Sequence, residues 1–384
     1  MCALLLLFSA LSSSLSTTVT IRNDEPRLDV NGAIVDGHDL SLRVLPNGTY
    51  LMTTIEYGLC VAPTGEGCDS TPDHCGFRAN HNITIWTSNT LLSGSWVKAG
   101  NAFPLSARPP GLIFRPDAIF NPNTQQTVLW YNFAGGGNTY VTSVSSSPFG
   151  PFADFAVSNA TDATWEGGDF HLFIDDTLPE NEPAQGYVIW TGMAKSPGND
   201  HRIRISKLTP DFRHVTSDEP YTFDDFQFNE APSIFSRNGV WYALFGHCCC
   251  FCYQGSGLFV HTAPTPMGPW TLQSSPVSDI ACQAPSAVEA LLRGVPTPGQ
   301  GCLYGGSKDV SVTRSQQDFV AKLPDGEKGF TFLYFGSRWG QSPVRVCVRC
   351  VVYRVQAHPH APPQPPPRME SKGTSPNTCS HFLS

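Results

Sequence analysis

The chain has 384 residues, of which only 15% are charged, against 34 Gly, 33 Pro and 11% aromatics. Few charges with many aromatics, glycines and prolines exclude a helical or coiled-coil protein and point to short strands joined by turns. The net charge of −8 is spread thinly with no basic stripe, which excludes nucleic acid as a natural partner.

The first sixteen residues, MCALLLLFSALSSSLS, carry a short apolar core from Ala3 to Phe8 followed by small residues. That is the layout of a secretory signal peptide over 1–16, without the usual basic start; a buried first strand is the alternative. The run is too short to span a membrane, and no other segment has the length to do so. Secretion fits the 13 cysteines. Cys60, Cys68 and Cys75 share a Gly-rich loop, Cys248, Cys249, Cys250 and Cys252 cluster in GHCCCFCYQG, and Cys282 and Cys302 flank another loop. In an exported chain these read as disulfides whose pairing spacing does not determine. A thiolate metal site at His247–Cys252 is a poorer reading, because adjacent cysteines suit tetrahedral ligation badly. Sequons at Asn47, Asn82 and Asn159 also suit an exported surface.

Five aromatic-rich runs then follow: Tyr50–Gly58, Thr127–Phe133, Tyr187–Gly192, Val240–Gly246 and Phe330–Trp339. Each reads as a buried strand, and most are preceded by a polar turn and another apolar strand, with Asn-Gly at 47–48 and 238–239 as hairpin signals. Between the runs come SGSW (93–96), SPFGPF (147–152), LTPDF (208–212) and TPMGPW (265–270). A repeated aromatic hairpin plus a Pro-, Gly- or aromatic-bearing turn predicts an all-β, five-bladed β-propeller over about 20–340. A β-sandwich with long loops would not repeat in this way. From about Gln341 the text turns basic, alternates Val with Arg and Cys, then becomes Pro-rich; 341–384 reads as an atypical, disordered tail that leaves the last blade incomplete.

A propeller binds its ligand at the axis, where the first strand of each hairpin begins. Asp36 and Asp39 (VDGHDLSL), Asp169 (GGDFHLFIDD) and Glu230 (FNEAPSIF) each precede such a strand, so their shared phase brings them together. Asp175 and Asp176 read as turn residues, and His38 as either a ligand-facing or a core histidine. Cleaving a glycosidic bond needs one protonated carboxyl, its pKa raised by burial or a nearby carboxylate, and a second group that activates water.

The motifs LDVNGAIVDGHDLSL then GTYLMTTIEYG (28–58), FRPDAIFNPNTQQTVLWYN (114–132), GDFHLFIDD (168–176), NEAPSIFSRNGVWYALFG (229–246), MGPW (267–270), SQQDFV (315–320) and FLYFGSRW (332–339) together resemble glycoside hydrolase family 43, especially exo-β-1,3-galactanase-like members. The resemblance implies an inverting enzyme with Glu230 as general acid and Asp169 as the carboxylate that orients it. For the water-activating group it leaves two competitors, Asp39 near the start of the first blade and Gln316 in the Ser-Gln motif. His38, Glu56, Arg115, Phe114 and Trp339 are the further substrate-contact candidates. Phe114 is a departure, since the galactanase-like members carry a glutamate there. The resemblance implies a galactose- or arabinose-containing polysaccharide as substrate, β-1,3-galactan first, and a monomer. It allows a structural Ca²⁺ at the axis, although no Asp-rich ligand loop is present. No organic cofactor is indicated, because no Gly-rich phosphate loop follows a strand. A non-catalytic carbohydrate-binding propeller and a secreted structural protein are the rival readings.

Overall fold

The computed structural model of the chain describes residues 17–22, 27–56, 81–134, 137–179, 181–195, 200–224, 229–247, 259–273, 316–324, 330–337 and 378–383. The leader 1–16, all the cysteines named above and Trp339 lie outside them. Among the described residues no helix is long and apolar enough to cross a membrane.

Strand β1 (Thr17–Arg22) stands apart from four antiparallel four-stranded sheets. The first holds β2 (His38–Val44), β3 (Tyr50–Ile55), β4 (Ile83–Ser88) and β5 (Val97–Asn101). The second holds β6 (Leu112–Asn121), β7 (Gln126–Ala134), β8 (Asn138–Ser145) and β9 (Ala153–Val157). The third holds β10 (Trp165–Ile174), β11 (Gly186–Ala194), β12 (His201–Lys207) and β13 (Tyr221–Thr222). The fourth holds β14 (Asn229–Arg237), β15 (Val240–His247), β16 (Phe259–Ala263) and β17 (Thr271–Leu272). The architecture is an all-β propeller. Among the described residues the expected five blades are corrected to four complete ones: the fifth place holds a two-stranded hairpin, β18 (Gln316–Pro324) with β19 (Phe330–Ser337). From the tail, β20 (Thr378–Leu383) is described, and it pairs with β1.

The repeat is physical. Each aromatic run of the four complete blades is the second strand, buried between neighbouring sheets. Leu129 and Tyr131 pack on Leu51, Ile55 and Ile85; Trp190 and Val188 pack on Trp130 and Tyr140; Trp241 and Phe245 pack on Phe173 and Ile189. In the fifth position Phe319, Ala321 and Leu323 pack on Leu40, Leu42 and Tyr50 of the first blade, so apolar contact closes the ring. The four Pro-, Gly- or aromatic-bearing turns all join the third strand of a blade to its fourth. Asn238 and Gly239 both have positive φ, 51° and 74°, as a two-residue hairpin turn between Arg237 and Val240 requires.

The axis is stitched by polar side chains. Nη2 of Arg43 in β2 donates to both carboxylate oxygens of Asp117 in β6, at 2.7 and 2.9 Å, and to the Leu172 carbonyl in β10 at 2.8 Å. Its guanidinium also lies 4.9 Å from the ring centroid of Phe319 in β18. Asp117 Oδ2 accepts the Leu172 N–H at 2.8 Å. On the other side, His171 Nδ1 in β10 accepts the Ile234 N–H at 3.2 Å, and the Ser233 hydroxyl accepts the Val320 N–H at 3.1 Å. First strands from all five positions are thereby linked. Removing one partner of a buried ion pair leaves the other uncompensated, so Asp117→Ala should cost about 3–5 kcal/mol of stability in denaturant unfolding; a cost below about 1 kcal/mol, the range of an exposed pair, would show that the axis does not depend on it.

Candidate active site

The candidate residues sit on a structural device that recurs five times. Each first strand carries a β-bulge near its start: between His38 and Ser41, Phe114 and Asp117, Gly167 and Phe170, Glu230 and Ser233, and Gln317 and Phe319. A bulge inserts a residue and re-aims its side chain. Three bulges hold a non-glycine residue at positive φ: Asp39 at 50°, Arg115 at 52° and Ala231 at 56°. Such residues are strained and persist where the surroundings over-determine them.

The third bulge shows how. Asn132 Nδ2 donates to the Gly167 and Gly168 carbonyls at 2.5 and 3.1 Å, and the Tyr140 hydroxyl donates to Gly168 at 2.9 Å. A Cβ on Gly167 would lie 2.5 Å from the Tyr140 ring, and one on Gly168 would lie 2.9 Å from Thr191 Cβ. Both positions therefore need glycine, and the next residue, Asp169, is presented at the axis.

Four charged residues from four blades meet there. Arg115 Nε lies 3.0 Å from Asp169 Oδ1, and its Nη2 donates to Oδ2 at 3.2 Å. His38 Nδ1 is 2.7 Å from Asp39 Oδ1. Burial pushes the Asp39 carboxyl up, but the His38 ring and the charge and backbone N–H of Arg115 outweigh it, and the net direction is down. Asp169 moves the other way, to about 7: burial raises it, Arg115 opposes, and the charges of Glu230 and Asp39 raise it further. Asp169 thus feels Arg115, Glu230 and Asp39 together. Glu230 Oε1 lies 3.1 Å from His201 Nδ1, at the first residue of β12. The Glu230 and Asp169 side chains keep 14% and 17% exposure, open enough to be reached and closed enough to be perturbed. Carboxyls whose environments drive their pKa values apart are what acid–base chemistry needs.

The other candidates are placed differently. Arg115 is the partner of Asp169 within the cluster. Phe114 is half-buried against the apolar layer between the first two blades. Glu56, just past β3, accepts from Lys98 Nζ at 2.8 Å and Asn82 Nδ2 at 2.9 Å, within its own blade. This also engages the Asn82 amide in a buried site, whereas Asn47 and Asn159 are exposed. Gln316 opens β18, paired in register with Ser337, one residue before the start of that strand's bulge. Among the described residues no group of three His, Cys, Asp or Glu converges to hold a metal. At the axis both Asp117 oxygens serve Arg43, so the Ca²⁺ that the resemblance allows does not fit the residues there. His201 carries no sequence signal: it is an isolated histidine opening an amphipathic strand.

No family model and no curated protein sequence matches the chain. Solved structures do. An exo-β-1,3-galactanase from Phanerochaete chrysosporium, bound to galactose, is 19% identical, with a TM-score of 0.57 over 87% of this chain and 64% of its own. A family 43 β-1,3-galactosidase with galactodeoxynojirimycin is 18% identical, with a TM-score of 0.57 over 85% of this chain and 92% of its own. An exo-β-1,3-galactanase from Clostridium thermocellum is 17% identical, with a TM-score of 0.54 over 83% and 59%. The chain thus spans under two thirds of the length of two of these structures. It has the propeller fold of glycoside hydrolase family 43 galactanases.

Because the folded state raises the Asp169 pKa from 3.8 to about 7, folding favours the protonated acid. That contribution is complete below pH about 4 and is lost as pH rises through about 7. Asp169→Asn removes the loss, so its melting temperature relative to the unmodified chain should climb between pH 5 and pH 8. A difference that stays constant across that range would contradict the assigned environment.

Proposed function

We propose that the chain is an inverting glycoside hydrolase acting on a galactose-containing polysaccharide, with β-1,3-galactan the leading substrate. The observation that carries the reading is the meeting of Asp39, Asp169 and Glu230, from three blades, around Arg115. The fold-level likeness to structures that hold galactose and, in variants with one glutamate replaced, β-1,3-galactotriose supports the substrate.

In this mechanism Glu230 gives its proton to the leaving glycosidic oxygen as the bond to the anomeric carbon breaks. Asp169, fixed by Arg115, orients Glu230, and the closeness of the two carboxyls favours keeping a proton within the pair. Water attacks the anomeric carbon from the opposite face and loses its proton to Asp39, the carboxylate of the cluster whose surroundings favour ionisation. Gln316 is the competing water-positioning group, since its strand opens onto the same end of the ring. His201 positions Glu230. The same reading takes 1–16 as an export leader, with Asn47 and Asn159 as exposed glycosylation acceptors.

The non-catalytic binding propeller keeps one supporting feature, Phe114 in place of a polar sugar contact. The two readings separate in one assay. The unmodified chain should release sugar from β-1,3-galactan, and Glu230→Gln should lower the rate by roughly 10²–10⁴-fold. Glycan binding without turnover in both would favour the binding protein.

A further inference from the structure

A cavity of about 600 Å³ opens between the second and third blades, at the same end of the ring as the catalytic cluster, and plays no part in the mechanism above. Its lining comes from one end of the ring. Phe133 is the last residue but one of β7, Asn138 opens β8, Lys195 follows β11, and Arg108 stands on the connection that delivers the chain to β6. First strands begin at that same end, so the cavity shares a face with Asp39, Asp169 and Glu230. A direct link runs between them: Asn138 Nδ2 lies 3.4 Å from Glu166 Oε2 in β10, three residues before Asp169.

The chemistry of the lining is mixed in a particular way. Phe133 and Phe155 supply aromatic surface, and Phe155 remains 39% exposed although its ring packs edge-on against Phe103 at 5.4 Å. Asn138, Arg108 and Lys195 supply polar groups around that surface. The Arg108 guanidinium is held by the Pro109 and Gly111 carbonyls at 3.0 and 2.6 Å. At the inner wall the Tyr131 hydroxyl is fully buried and finds no hydrogen-bond partner among the described residues. Burial pushes its pKa up, so it stays a neutral O–H donor. A buried hydroxyl without a partner is costly, and a ligand group reaching the Tyr131 wall of the cavity would satisfy it. Apolar ring surface with a few convergent donors suits a pyranose, which presents a C–H face and a rim of hydroxyls.

We propose that this cavity is an accessory saccharide-binding site, which takes a second stretch of the neutral galactan chain while the catalytic cluster holds the first. The proposal rests on the galactan reading above, and commits further to where the polymer is gripped. Its occupant is named by the lining together with the position of the cavity on the catalytic face.

The test is calorimetric titration of β-1,3-galactotriose into the full-length Glu230→Gln chain, with hydrolysis by the unmodified chain measured alongside. Two saccharides should bind per chain. Adding Phe155→Ala should leave one. Adding Tyr131→Phe, which removes only an oxygen, should weaken the second site several-fold without lowering the melting temperature. That variant keeps the test decisive if Phe155→Ala disturbs folding. A single binding event from the outset, or two events untouched by Tyr131→Phe, would overturn the accessory site while galactan hydrolysis by the unmodified chain still stood. If the unmodified chain neither cleaves nor binds galactan, the substrate reading fails and the accessory site fails with it.

Discussion

The guanidinium of Arg43 ties the ring together. From the first blade it reaches the Asp117 carboxylate and the Ala118 carbonyl in the second, the Leu172 carbonyl in the third, and the ring of Phe319 in the incomplete fifth. A propeller's sheets are joined mainly by apolar layers, which are indifferent to small rotations of one blade against the next. Directional bonds at the axis are not. Burial works against the ionised form of Asp117, and Arg43 with the Leu172 N–H opposes it. The gain from such an arrangement is register between blades more than stability.

That register is what the site consumes. Asp39, Arg115 and Ala231 are held at positive φ in bulges of three different blades, and Asp169 follows two glycines packed against Tyr140 and Thr191. Each of these is a local cost. They are tolerated because both ends of each first strand are pinned: the bulge by neighbouring side chains, and the strand beyond it by the axial bonds. The result is a cluster in which one arginine acts on the Asp39 and Asp169 carboxyls, and Glu230 from a fourth blade acts on Asp169. Without Arg115, two buried carboxylates within reach of a third would drive each other toward the neutral state. With it, Asp39 is favoured as the ion and Asp169 as the acid.

Much of this was legible in the sequence because it repeats. The aromatic hairpins and the turns after the third strands marked the blades, and the common phase of Asp39, Asp169 and Glu230 placed them at one end of the ring. A second pattern marks three of the bulges: Arg115-Pro116, Gly167-Gly168-Asp169 and Glu230-Ala231-Pro232 interrupt alternation near the start of their strands. The pairing of Arg115 with Asp169 is invisible to local patterning, because the partner lies in another blade. Arg43 looks like an ordinary hairpin residue, and His201 like any polar residue on a strand. Glu56 shares a motif with the resembling family, yet its oxygens are held by Lys98 and Asn82. The fifth blade was counted from its aromatic run, which does form a strand. A two-stranded hairpin can fill that place because its apolar face on the first blade closes the layer.

Similar propellers have been solved with galactose or galactodeoxynojirimycin, yet identities of 17–19% leave the chemistry to be decided by the residues present. The claim at the centre is that these residues form an inverting acid–base pair across the ring. Proton NMR of the sugar first released from β-1,3-galactan reads that directly, before the anomers equilibrate. Attack by water opposite to Glu230 predicts the α-anomer as the initial product. An initial β-anomer would mean retention through a covalent or equivalent intermediate, and would contradict the roles assigned to Asp39 and Glu230.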